Sequence, residues 1–127
     1  MSGRTWSFSG GGYESEFGYS RAVRQGDRII VSGCAPIEVD GSAKPGAGEQ
    51  ANRCFEIISQ ALSDLGGSMG DVVRVRFYLS DADDLAAVMN VHRQWLGDAR
   101  PAATAVVTGL INPSWKVEIE AEAIASA

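Results

Sequence analysis

Val117-Glu118-Ile119-Glu120-Ala121-Glu122-Ala123-Ile124 decides the fold. Apolar and acidic residues alternate without a break, the two-residue period of a strand with one face in a core and one face out. Upstream, Asp71-Val72-Val73-Arg74-Val75-Arg76-Phe77-Tyr78-Leu79 repeats the pattern, and Val73, Val75, Phe77 and Leu79 are the expected core side. The segments before and after it read as helices. From Glu49 to Leu65 the apolar residues Ala51, Cys54, Phe55, Ile58, Ala61, Leu62 and Leu65 fall at helical spacing, and Gly66-Gly67 closes the run. Asp81 to Asp84 offer capping oxygens to a second helix carrying Leu85, Val88, Met89, His92 and Leu96 as far as Gly97. Arg100-Pro101 stops it, and Ala103 to Val107 is a further strand before the turn at Asn112-Pro113-Ser114.

Nearer the N-terminus, Tyr19 to Val23 and Arg28 to Gly33 flank a Gly-Asp turn and read as a hairpin. Residues 39–46 hold too many breakers for regular structure, and residues 1–17 carry no pattern that fixes theirs. The whole is one α+β domain over residues 1–127, with a mixed sheet of about five to six strands covered on one face by two helices. The other face needs cover, and self-association is the economical way to supply it.

At 127 residues, 45% hydrophobic and 21% charged, the chain can bury a core without disulfides or metal. Neither a membrane span nor a secretory leader is legible, which predicts a soluble protein in the cytoplasm. Cys34 and Cys54 lack metal or redox spacing and read as free thiols. A net charge of −5 argues against nucleic acid as a partner.

Glu118, Glu120 and Glu122 share the outward face of the closing strand. On solvated surface they are ordinary; turned into an interface, like charge and desolvation would raise at least one carboxyl pKa and make an acid or base of it. The single histidine, His92, lies on the apolar side of its helix and reads as packed and hydrogen-bonded rather than catalytic. Phosphate loops, dinucleotide fingerprints, zinc motifs and nucleophile elbows are missing, so no cofactor and no metal is expected.

In order and spacing, Tyr19-Ser20-Arg21-Ala22-Val23, Gly26-Asp27, Val31-Ser32-Gly33, Asp71 to Arg74, Arg100-Pro101-Ala102 and Val117 to Ala125 resemble the Rid family. This is the YjgF/YER057c/UK114 or L-PSP endoribonuclease-like group, and the resemblance spans nearly the whole chain. It implies a chorismate-mutase-like fold and a homotrimer with small-molecule clefts between subunits. Family deaminases hydrolyse imines or enamines such as 2-iminobutanoate and 2-iminopropanoate without a cofactor, an arginine holding the carboxylate and a glutamate on the last strand positioning water. Carried over, the glutamate matches Glu122, the first-strand aromatic matches Tyr19, and the cleft segment begins at Cys34. The arginine does not carry over. Pro101-Ala102 leads to Ala103 and Thr104, and an asparagine of the second helix is replaced by Met89. Arg21, where the family has glutamine, is the substitute cation if its side faces the cleft. The resemblance therefore leaves four readings: a divergent imine or enamine hydrolase, a non-catalytic small-molecule trimer, the L-PSP endoribonuclease, and a reactive Cys34 thiol.

Overall fold

The computed structural model describes residues 3–126. Its elements run β1 (Arg4–Ser7), α1 (Gly12–Phe17), β2 (Ala22–Gln25), β3 (Arg28–Cys34), α2 (Ala47–Asp64), β4 (Val72–Leu79), α3 (Leu85–Leu96), β5 (Ala102–Val107) and β6 (Val117–Ile124). The six strands form one sheet in the order β1-β2-β3-β6-β4-β5. Only β4 and β5 are parallel neighbours, joined by α3, the crossover that parallel strands need. The hairpin is shorter than its sequence suggests: Tyr19 precedes β2, and residues 4–17 supply an edge strand and a short helix that no periodicity announced.

Helix α2 starts where Glu49 reaches back to accept the Gly46 backbone N–H at 3.2 Å. It ends at Gly66, whose φ of +82° suits a residue without a Cβ, and the Gly67 N–H then bonds the Leu62 carbonyl at 2.8 Å. Its inner face, Ala51, Cys54, Phe55, Ile58 and Leu62, lies on Ile29, Val31, Val75, Phe77 and Ile119 of the sheet, all buried. Phe55 meets Phe77 edge to face at 6.2 Å, and α3 adds Val88 and Leu96. Each such side chain contributes about 1.5–3 kcal/mol on leaving water.

Two irregularities set which residues face in. In β4, Val72 opposes Ala123 and Arg74 opposes Glu122, so one extra residue is accommodated. Val72 is therefore buried and Val73 is 44% exposed, which corrects the expectation that Val73 joins the core; strict alternation does not survive a bulge. In β3, Val31 opposes Ala121 and Cys34 opposes Ile119, so an extra residue within Ser32-Gly33 lets Cys34 point inward beside Val31. Among the described residues no helix is long and apolar enough to cross a membrane.

Candidate functional site

The uncovered face of the sheet carries the acidic row of β6 between Arg28 and Ile30 of β3 and Arg74, Arg76 and Tyr78 of β4. Register gives the three glutamates different neighbours. Glu122 lies between two cations, Arg28 at 3.3 Å and Arg74 at 3.5 Å. Glu120 meets Arg76 at 3.5 Å and accepts the Tyr78 hydroxyl. Glu118, half-buried, rests on the backbone of Gly33, where an added Cβ would lie 3.1 Å from its Oε1 and 3.2 Å from its Cδ. Burial pushes the Glu118 carboxyl above the ordinary glutamate value, Arg21 pulls it down and Glu120 adds to the rise.

Arg21 and Cys34 complete this corner. The Arg21 Nη1 points at the Cys34 sulfur at 3.5 Å, and its Nε is buried without a hydrogen-bond partner. Cys34 is fully buried; burial raises its thiol to about 11, with Arg21 lowering and Glu118 raising it. Cys54 donates to the Cys34 carbonyl at 3.1 Å and is likewise pushed up by burial. Burial disfavours the thiolate form of both, which argues against the reactive-cysteine reading.

Of the residues expected to form a site, the structure brings Arg21 and Cys34 together on the helix side of the sheet, while Glu118, on the opposite face next to Gly33, interacts with them only electrostatically. Glu122 is four residues along β6 from Glu118, about 13 Å at strand rise, inside its own ion pairs. Tyr19 lines a separate hollow of about 370 Å³ with Trp6, Phe8 and Ser20. Ala103 and Thr104 lie on β5, an edge strand exposed along its entire length. Ala103 pairs with buried Val75 and so projects on the helix side, opposite to Glu118; Thr104 pairs with Arg76 on the acidic side. Ala103 and Glu118 can therefore line one cleft only if they come from different copies.

His92 packs against the rings of Phe55 and Phe77, at 6.2 and 5.4 Å, and burial lowers its pKa. Its Nε2 is buried with no hydrogen-bond partner, so the expected packing is present and the expected bond at that nitrogen is not. No group of three His, Cys, Asp or Glu side chains among the described residues is placed to hold a metal.

Comparison with known proteins places this geometry. The family model described as endoribonuclease L-PSP matches residues 13–125. A mitochondrial protein of Schizosaccharomyces pombe, mmf2, is 38% identical over 106 residues, 80% of this chain and 83% of the relative. The 3-aminoacrylate deaminase RutC of Acinetobacter baylyi is 30% identical over 103 residues, 80% of this chain and 82% of that one. The crystal structure of a Mycobacterium tuberculosis member of the YjgF/YER057c/UK114 family superposes with a TM-score of 0.87 at 38% identity, covering 95% of this chain and 98% of the other.

Proposed function

The chain belongs to the endoribonuclease L-PSP family, the group of YjgF/YER057c/UK114, and on that premise we propose that it hydrolyses a small imine or enamine in clefts between the subunits of a homotrimer. Glu118 takes the role that the resemblance assigned to Glu122. Water adds to the carbon of the protonated imine, which an enamine reaches by protonation at its β-carbon, as Glu118 accepts a proton from the water. The carboxyl returns that proton to the nitrogen of the carbinolamine and then takes the hydroxyl proton as the C–N bond breaks, giving a carbonyl compound and ammonia. One observation carries the assignment: of three carboxylates in a row, only Glu118 is half-buried with no cation within ion-pairing distance among the described residues, and its raised pKa suits a group that both takes and gives a proton.

Naked β5 and the uncovered acidic face support the trimer, since each cleft needs Ala103 from one copy and Glu118 from another. Ala103 brings no guanidinium, which favours substrates other than 2-iminobutanoate and 2-iminopropanoate; Arg21, beside Cys34, is the cation nearest to hand. The Acinetobacter relative acts on 3-aminoacrylate, an enamine, which supports the reaction class. A second reading, a trimer that binds a small molecule without turning it over, is favoured by Ala103 itself. A net charge of −5 and an acidic open face do not support RNA cleavage. Two free thiols suit a reducing compartment, the cytoplasm in this reading.

Imines and enamines generated in place by an amino-acid oxidase or a dehydratase, with ammonia release followed, test the proposal on wild type, Glu118→Gln and Glu122→Gln. Turnover abolished by Glu118→Gln and kept by Glu122→Gln supports it. Equal activity of Glu118→Gln and wild type sinks the mechanism, and a monomer by light scattering at micromolar concentration sinks the shared cleft.

A further inference from the structure

Arg21 and Arg24 lie three residues apart and are treated very differently. Arg24 is fully used: Nε donates to the Gly26 carbonyl at 2.9 Å, Nη1 to Leu65 at 2.7 Å and Nη2 to Ala125 at 3.0 Å. Among the described residues the Arg21 side chain reaches only a thiol sulfur, a weak acceptor, and keeps a buried N–H unmatched. A guanidinium stays charged across the working pH range, and a buried donor without an acceptor is unfavourable. No carboxylate or carbonyl among the described residues occupies the rest of this guanidinium, which leaves it available to an acceptor from outside the chain.

The surroundings suit one. Arg21 lines a cleft of about 410 Å³ between β1 and the outer face of α2, a volume in the range of small-ligand sites. Ser7, Phe8, Arg53, Glu56 and Asp64 share its walls. Arg53 brings a second guanidinium, anchored by its Nε on the Ile37 carbonyl at 2.8 Å and by Nη1 on Glu56 at 3.2 Å. Asp64 is held in place by the Ser7 hydroxyl at 2.9 Å and the Gln60 amide at 2.8 Å. The walls thus present two cations and two carboxylates. A dianion would meet repulsion from Glu56 and Asp64, whereas a molecule with one charge of each sign satisfies both pairs.

We propose that this cleft binds a small amino-carboxylate, its carboxylate on Arg21 and Arg53 and its ammonium towards Glu56 and Asp64. Glu118 is not among the lining residues, and the site stands whether or not Glu118 performs chemistry. Arg21 alone belongs to both neighbourhoods.

Isothermal titration at low salt with glycine, β-alanine and 4-aminobutanoate, each in turn, tests the proposal against acetate, methylammonium and inorganic phosphate. At least one zwitterion saturates and binds about tenfold or more tightly than acetate or methylammonium, and Arg53→Met weakens it by about tenfold or more. Arg21→Gln does the same. The idea is overturned if no zwitterion saturates, if phosphate binds at least as well, or if Arg53→Met has no effect. Arg53 lies outside the buried apolar cluster, so its variant keeps the test decisive even where Arg21→Gln fails to fold.

Discussion

Gly33→Ala separates the role of the Gly33 backbone from that of the Glu118 charge. Gly33 is not among the glycines with positive φ, so alanine fits the backbone, and reduced freedom of the unfolded chain contributes about 0.4–1 kcal/mol in its favour. Against this, the new methyl would sit 3.1 Å from Oε1, 3.2 Å from Cδ and 3.5 Å from Cγ of Glu118. Those contacts are too short, and the side chain must rotate off its rotamer at about 0.5–1.5 kcal/mol or swing away from β3. The two effects nearly cancel, so urea unfolding should change by less than about 1 kcal/mol in either direction. The position of the carboxylate changes instead. Away from Gly33 it regains water, the burial that raises its pKa is lost, and its titration moves down towards the ordinary glutamate range. Carboxyl carbon-13 NMR titration of Glu118 in the two proteins reads this directly, alongside imine turnover, which should fall. An unchanged titration would show that the carboxylate does not rest on Gly33, and the assignment of Glu118 would lose its structural basis.

Glu118→Gln should stabilise the protein at pH 7. The folded pKa exceeds the unfolded one, so this group's contribution to stability is full below the unfolded value and is lost as pH rises through the folded value; melting temperatures of the two proteins should converge in acid, and a constant gap would refute the sign. Arg24→Met removes three charge-assisted bonds, two tying β2 to the ends of α2 and β6 and one closing on Gly26 in the adjacent turn, and should cost on the order of 3 kcal/mol in urea unfolding; a loss under about 1 kcal/mol would mean water replaces them. Phe55→Ala, at a fully buried position, should cost about 3–5 kcal/mol by the same measurement. With its thiol near 11, Cys34 is ionised to about one part in a thousand at pH 8, so iodoacetamide should label it slowly in the native protein and quickly in urea; equal rates would contradict the burial.

Elements with a clear period were legible in the sequence. Phe55, Ile58 and Leu62 announced α2, and the alternation through Val117, Ile119 and Ala121 announced β6. Arg4–Ser7 was not legible, because a four-residue edge strand next to glycines has too few positions to show a period. Val73 was misplaced because a bulge is a property of two paired strands and leaves no mark on one. What distinguishes the three glutamates was not legible for a related reason. Along β6 the three glutamates are equivalent; they differ only in what β3 and β4 set beside them, arginines for Glu122 and a bare glycine backbone for Glu118. Ser32-Gly33 was the available signal, once paired with the right end of the last strand.

The sheet order has a consequence for how the protein is made. β6 runs between β3 and β4, yet it is synthesised after both of them, so the nascent chain holds two halves of a sheet that cannot close. Until residues 117–124 leave the ribosome, β3 and β4 lack the strand that pairs with both, and the ladder contacts that join the halves span long stretches of sequence. Folding therefore waits on the last strand. A ribosome stalled before Val117 should display a protease-sensitive chain that binds chaperones, and eight further residues clear of the exit tunnel should make it resistant in one step.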